Sequence, residues 1–163
     1  MADRPHVTIE QLLALLAATP LRLAALTAGL APAQLRMPVR GEWSANDVLA
    51  HLRACADVWG DCITAMLAED HPTLRAINPR TWIKRTDYPT LAFAPSLAAF
   101  AAQRAELLAA LEPLPPAGWS RAATVTGAGG PLERTVDTYA RWLVRHERRH
   151  VKQIAQMATE LRG

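Results

Sequence analysis

Residues 141–154, with the sequence RWLVRHERRHVKQI, constrain the fold of this chain more than any other segment. Because a helix turns by about 100° per residue, His146 and His150 fall on the same side as the apolar and aromatic residues of the segment. The basic residues Arg141, Arg145, Arg148 and Lys152 fall on the opposite side. The segment therefore predicts an amphipathic helix with two buried imidazoles one turn apart, close enough to hold one metal ion.

The rest of the chain contains three further amphipathic segments and few strand signals, which predicts an all-α four-helix bundle. The first helix begins near Thr8 in a capping box, and Pro20 is expected to kink or break it because proline has no amide proton. The second helix runs to about Leu67, with Ser44 as N-cap and Asp47 at the third helical position, as in a capping box.

The third helix is expected to begin with Ser96 as its N-cap and to end before Pro113. The last helix is expected to run from about Pro131, a favoured first-turn residue, to about Leu161. The segment that follows the third helix contains turn formers and a short extended piece around Val125. Two long irregular connections therefore follow the second and third helices.

The first of these connections, residues 70–95, is long for a loop within a compact domain, which makes it a candidate lid or binding loop. Its group of basic and aromatic residues is a candidate for contacting an acidic substrate. This group consists of Arg80, Trp82, Lys84 and Arg85. The middle of the third helix adds Arg104 as a second candidate for such a contact.

Length and composition favour a single folded domain over residues 1–163, since half of the residues are apolar. The formal net charge of +3 is a small excess that does not indicate nucleic-acid binding. Cys55 and Cys62 are too few for a disulfide framework and are typical of a reduced, cytoplasmic protein. The N-terminal residues lack a signal-peptide pattern, and no uncharged apolar run reaches about 18 residues, so no membrane association is expected.

A third histidine, His51, is expected on the buried face of the second helix together with Cys55. A buried imidazole without a partner costs about 1–3 kcal/mol, and one divalent cation satisfies His51, His146 and His150 together. Three protein ligands with one open position are typical of a reactive metal site. The alternative is that each histidine is an ordinary core residue bonded to a carbonyl or carboxylate oxygen.

Several neighbouring residues allow two interpretations each. Gln153 either orients a metal-bound water, as a catalytic residue would, or is a satisfied core amide. Asp47 either accepts the second ring proton of His51 or only caps its helix. Cys55 either joins the metal as a soft ligand or is a small buried thiol.

Two other site types receive little support from the sequence. Glu147 and His150 imitate the Glu-x-x-His element of di-iron bundles, but no acidic residue of the second or third helix is followed three residues later by histidine. The basic side of the last helix lacks interleaved aromatic residues and a docking motif, so a solvated helix face explains it better than nucleic-acid binding does.

The segment GEWSANDVLAHL, followed about 95 residues later by HERRHVKQI, resembles the DinB/YfiT-like superfamily of metal-binding four-helix bundles. The resemblance implies a divalent metal, often nickel or zinc, held by His51, His146 and His150. It also implies an up-down-down-up helix order and frequent homodimers. Members of known activity include transferases that use bacillithiol, mycothiol or glutathione, and a mycothiol-dependent maleylpyruvate isomerase.

The resulting hypothesis is a metal-dependent thiol S-transferase or hydrolase that acts on a small molecule, with a low-molecular-weight thiol as an additional cofactor in the first case. Gln153 and Arg104 are its candidate catalytic residues. The alternative is a stress-response protein that binds a metal or a small molecule without catalysis.

Overall fold

Four long helices make up most of the protein in a computed structural model that describes residues 6–41 and 43–163. The long helices are α1 (Ile9–Thr27), α3 (Ala45–Ala68), α5 (Phe93–Leu111) and α7 (Val136–Arg162). Single-turn helices α2 (Pro32–Leu35), α4 (Pro79–Trp82) and α6 (Pro116–Trp119) lie in the connections, with 3-10 turns at Ile83–Arg85 and Tyr88–Thr90. Residues 1–5 of the predicted domain and Glu42 of the GEWSANDVLAHL segment lie outside the described residues.

The predicted starts of the first two helices are confirmed by their caps. The Thr8 hydroxyl accepts a hydrogen bond from the Gln11 amide, and the Gln11 side chain accepts one from the Thr8 amide. At α3, Ser44 and Asp47 form the same reciprocal pair. These caps satisfy amide protons that have no partner within the helix.

The predicted starts of the other two helices were wrong. Helix α5 begins three residues before Ser96, whose buried hydroxyl instead accepts a hydrogen bond from Arg53. Helix α7 begins at Val136 rather than near Pro131, because Thr135 caps it and the preceding residues pair as a strand. The preference of proline for a first helical turn was outweighed here, because the residues that follow Pro131 pair with β2 as a strand.

A small three-stranded sheet covers one side of the bundle, in the order β1 (Thr73–Arg75), β2 (Ala122–Thr126) and β3 (Leu132–Thr135). Strand β1 is parallel to β2, and β3 is antiparallel to β2. The extended piece expected around Val125 is therefore confirmed, whereas its two partner strands were not predicted. The fold is mostly helical with an additional sheet, rather than purely α-helical.

Each long helix packs mainly against two others: α1 and α3 both lie against α5 and α7. Helix α1 is long and apolar enough, with a mean hydropathy of 1.5, to cross a membrane by length and composition alone. In the structure Leu12, Leu16 and Leu23 of this helix are buried in the bundle.

Pro20 does not break α1, which continues through it from Ile9 to Thr27. In a regular helix the carbonyl oxygen of Leu16 would accept a hydrogen bond from the amide N–H of residue 20, and proline has no N–H group. Arg104 of α5 replaces that donor, because its Nη1 lies 2.9 Å from the Leu16 oxygen. The kink expected from the sequence is thus compensated by a side chain from another helix.

The same guanidinium group forms a buried ion pair with Glu147 of α7. Arg104 is 3% exposed and Glu147 is 2% exposed. Glu147 Oε2 accepts hydrogen bonds from Arg104 at 2.9 Å and from the Thr19 hydroxyl at 2.8 Å. Helices α1, α5 and α7 therefore meet at the Arg104–Glu147 ion pair. Two buried charges are stable only when they are paired and hydrogen-bonded, as they are here.

The polar residues lie between two apolar clusters of the core. One cluster contains Leu16 and Leu143, and the other contains Leu23 and Ile154. In α1 and α7, the residues between these positions include Thr19 and Glu147. The bundle therefore has a buried polar layer at mid-height, and any histidine in that layer sits in an environment poor in water.

Replacing Glu147 with leucine should lower the free energy of unfolding by about 3–5 kcal/mol, because it leaves the Arg104 charge buried without a partner. Chemical denaturation followed by circular dichroism measures the change. The control is Arg148→Leu on the exposed side of the same helix, expected within about 0.5 kcal/mol of the wild type. The double variant Arg104→Leu/Glu147→Leu should be more stable than Glu147→Leu. Equal stability of Glu147→Leu and the control would contradict a structural role for the pair.

Candidate metal centre

Three imidazoles from α3 and α7 meet inside the bundle. His51 Nε2 lies 2.9 Å from His146 Nε2, and His150 Nε2 lies 3.1 Å from the same atom. His146 and His150 are one turn apart on α7, and His51 faces them from α3, which packs along α7. The structure therefore brings together all three histidines that the sequence selected as metal ligands.

Hydrogen bonds among the three histidines cannot satisfy all of their Nε2 atoms. A ring nitrogen of a neutral imidazole carries either one proton or one lone pair. His146 Nε2 faces two other ring nitrogens, so a proton that bridges one pair leaves the third nitrogen unmatched. One cation shared by three lone pairs satisfies all of them, so these residues fit a divalent metal ion.

Cys55 provides a fourth donor atom. Its Sγ lies 3.7 Å from both His51 Nε2 and His146 Nε2. A nitrogen and a sulfur bound to one tetrahedral zinc are separated by about 3.5 Å, given bond lengths of about 2.0–2.1 and 2.3 Å. The donor atoms of His51, Cys55 and His146 all lie within 4.8 Å of one another, so this set could also hold an ion, with His150 beside it.

Tryptophan rings enclose the imidazoles. The Trp43 ring centroid lies 5.3 Å from that of His51 and is stacked with His150 at 6.4 Å. On the other side, the Trp59 centroid lies 5.2 Å from that of His146. These apolar walls reduce the access of water to the donor atoms, which strengthens their interaction with a charge.

Burial keeps the imidazoles in the neutral form that binds metals. Burial, followed by the charges of His150 and Arg80, lowers the pKa of His51 to about 4. Burial and the two neighbouring histidines lower the pKa of His146 to about 3. The pKa of His150 is also lowered, mainly by burial. Burial raises the pKa of the Cys55 thiol to about 12 in the absence of a metal.

The Gln153 side chain contacts one of the three histidines. Its Oε1 lies 2.8 Å from His150 Nδ1, so Nδ1 donates the proton and Nε2 presents its lone pair to the cluster. Asp47 is occupied by the cap, because Oδ2 accepts hydrogen bonds from the amide and hydroxyl of Ser44. His146 Nδ1 is buried and has no hydrogen-bond partner among the described residues.

Arg104 does not lie where the sequence-based hypothesis placed it. Its guanidinium is buried and bonded to Glu147 and to the Leu16 carbonyl, so a contact with substrate would have to break the buried pair. The sequence indicated substrate binding for this charged residue in the middle of a helix because its ion-pair partner could not be recognised. The partner lies on another helix, 43 residues away in sequence. The sequence did not predict Glu147 as the partner of Arg104.

The connection after α3 is attached to the bundle rather than forming a free lid. Asp57 of α3 accepts hydrogen bonds from Trp82 Nε1 at 3.1 Å and from the Tyr88 hydroxyl at 2.6 Å. Gln103 of α5 donates to its other oxygen at 2.6 Å. Asp57 thus holds the C-terminal end of α4 and the second 3-10 turn against the bundle, a role that its helical position alone did not indicate.

Two clefts lead from the surface to the histidines. The His51 cleft, about 320 Å³, is lined by Trp43, His51, Arg80, Ile83 and Pro89 together with Asp47 and Ala50. The His150 cleft, about 380 Å³, is lined by Val39, Arg40, Gly41, Trp43, His150 and Gln153. Trp43 borders both clefts. Of the basic residues expected to contact substrate, Arg80 lines a cleft at the histidines, whereas Lys84 and Arg85 line neither.

The tryptophans were not predicted as site residues, although a signal was present. Trp43 directly precedes the N-cap of α3, and Trp59 lies two helical turns beyond His51. Helical spacing therefore places Trp59 near the His51 side of α3. Contact of either ring with α7 depended on how the two helices pack.

The sequence model of the DinB superfamily matches residues 8–154. The structure is similar to that of YfiT from Bacillus subtilis, which is described as a probable metal-dependent hydrolase with an unusual four-helix bundle topology. The TM-score is 0.79 at 20% identity, and the match covers 98% of this chain and 93% of YfiT. The comparison with curated proteins found no match. The family resemblance seen in the sequence is thus confirmed, together with a mostly helical fold similar to the YfiT four-helix bundle.

Cobalt(II) binding should reveal whether Cys55 is a ligand. A thiolate bound to cobalt gives a charge-transfer band in the near ultraviolet, and the 3.7 Å contacts predict that the wild type shows it. Cys55→Ser should lose the band, while the control Cys62→Ser, on the same helix but outside the donor group, should keep it. Stoichiometric cobalt without the band in the wild type would restrict the ligands to the histidines.

The metal-free protein should lose stability as the pH falls below about 6.5. The folded-state pKa values of His51 and His146 are depressed, so the unfolded chain takes up protons first. The folded state therefore keeps its full stability above about pH 6.5, where both histidines are neutral in the folded and unfolded chain. It loses stability as the pH falls towards 4 and below. Each histidine contributes up to about 1.4 kcal/mol per pH unit. Denaturation at several pH values should give a smaller slope for His146→Gln than for the exposed control His6→Gln, and equal slopes would contradict the depressed pKa.

Proposed function

The chain belongs to the DinB superfamily, and we propose that it is a metal-dependent hydrolase of a small molecule. The observation that carries the proposal is the convergence of three neutral imidazoles on one point beside an open cleft. The description of YfiT as a probable metal-dependent hydrolase is consistent with this reading. His51, His146 and His150 are the proposed ligands, and zinc or nickel is the proposed metal. If Cys55 also binds the metal, water can still bind only in a five-coordinate site.

A divalent metal with an open position supplies a water of pKa about 7 and an electrophile that polarises a carbonyl group. The protein contributes the geometry. Gln153 fixes the tautomer of His150, and the Trp43 and Trp59 rings exclude water from the donor atoms. The His51 cleft provides the entry path, since it is lined by a proposed ligand on one side and reaches solvent on the other.

The buried pair of Arg104 and Glu147 acts as a support for this site. Glu147 directly precedes Arg148 and follows His146 in α7, so its bonds to two other helices define the rotation of the ligand-bearing turn. Arg104 is therefore proposed as a structural residue and no longer as a substrate contact.

Activity should require both the metal and the ligands. Protein purified without a histidine tag should contain about one zinc or nickel per chain by elemental analysis. It should hydrolyse at least one member of a panel of small esters and amides, and a chelator should abolish the activity. His146→Ala should reduce metal content and lower kcat/KM roughly 100-fold or more, since even residues that only orient ligands cost 10–100-fold. The control is His71→Ala, which changes an exposed histidine of the sheet region.

The same assay distinguishes the alternatives. Turnover of an electrophile only with added bacillithiol, mycothiol or glutathione would replace hydrolysis by thiol transfer. Bound metal without turnover of any substrate would favour a non-catalytic binding protein. A protein that binds no metal would contradict the proposal. The predicted cytoplasmic location, homodimer and lack of nucleic-acid or membrane partners stay predictions.

A further inference from the structure

The His51 cleft carries a positive charge that the proposed hydrolysis does not yet use. Arg80 lines this cleft together with the proposed ligand His51, and Arg80 is exposed to solvent. Arg80 forms no salt bridge among the described residues. A guanidinium that faces a concave site without a carboxylate partner is available to bind an anion.

The backbone that carries Arg80 is held in place. Asn78 caps α4 by accepting a hydrogen bond from the Arg80 amide at 2.9 Å. Two residues later, Trp82 donates to Asp57 of α3. The base of the Arg80 side chain is therefore fixed relative to the histidine cluster, which lowers the entropy lost when a ligand binds.

The charges around the cleft favour a negative ligand. Asp47 is the acidic residue among those that line it, and its Oδ2 already accepts two hydrogen bonds from Ser44. A bound metal would add further positive charge on the same side.

The other walls of the cleft are apolar or aromatic. These walls are formed by Trp43, Ile83 and Pro89. A flat or aliphatic group can pack against these side chains, while an oxyanion reaches the guanidinium fork. The volume of about 320 Å³ is at the lower end for ligand sites, which favours a small molecule.

We propose that Arg80 is the specificity-determining residue of the site and selects substrates with a carboxylate or phosphoryl group and a small apolar body. This inference rests on the proposed function, because it assigns the substrate class of the same site. Arg80 binds the oxyanion at one end of the cleft, and the bond to be hydrolysed lies towards His51. Arg85, three residues beyond α4, is exposed but does not line the cleft and has no such role.

Calorimetric titrations with benzoate, its neutral analogue benzamide and inorganic phosphate test the proposal at low ionic strength. The wild type should bind benzoate or phosphate at least roughly tenfold more tightly than benzamide. Arg80→Gln should weaken oxyanion binding about tenfold and leave benzamide binding unchanged. Arg80→Lys should keep part of the affinity, because it keeps the charge but loses the bidentate fork. The matched control Arg85→Gln should behave like the wild type.

Titrations of both the zinc-loaded and the metal-free protein separate this inference from the proposed function. A preference for oxyanions that depends on Arg80 in the metal-free protein supports the inference even if no turnover is found. Tighter binding of phosphate than of benzoate assigns a phosphoryl substrate, and the reverse assigns a carboxylate. Equal benzoate and phosphate affinities in the wild type and Arg80→Gln, in both metal states, would overturn the proposal.

Discussion

The buried ion pair between Arg104 and Glu147 is the interaction on which the rest of the structure depends. It joins α5 to α7, and the same guanidinium replaces the missing hydrogen bond at Pro20 of α1. Burying two charges is unfavourable unless their hydrogen bonds are all formed. The pair therefore favours the arrangement of these helices in which the hydrogen bonds of Arg104 and Glu147 are complete. That arrangement turns the neighbouring His146 towards α3, where His51 lies.

The polar layer at mid-height creates the chemistry of the site. Apolar clusters above and below limit the contact of the histidines with water, and this burial lowers their pKa values, so that they are neutral at pH 7. Neutral imidazoles packed nitrogen to nitrogen are poorly matched to one another and well matched to a cation. Cys55 adds a softer donor on the same helix as His51, and the clefts beside Trp43 connect the layer to solvent.

Much of the fold could be predicted because its signals are local. The capping residues Thr8 and Ser44 marked helix starts that the structure confirms. Local signals failed where another part of the chain competed for the same backbone. Residues near Pro131 pair with β2 instead of starting a helix, and Pro20 is accommodated by a side chain 84 positions away. Asp57 and Glu147 gained their roles in the same way, from partners distant in sequence.

The sequence by itself determined which residues share a helix face, because a helical repeat is set by the backbone alone. Helical spacing was therefore enough to place His146 beside His150, and Cys55 beside His51. Only the tertiary structure decided that these two faces meet, that Cys55 lies equally close to His51 and His146, and that Arg80 rather than Arg85 reaches the cleft. The reason is that side-chain packing and buried polar pairs determine how each helix is rotated and shifted relative to its neighbours. These contacts form between residues that are far apart in sequence.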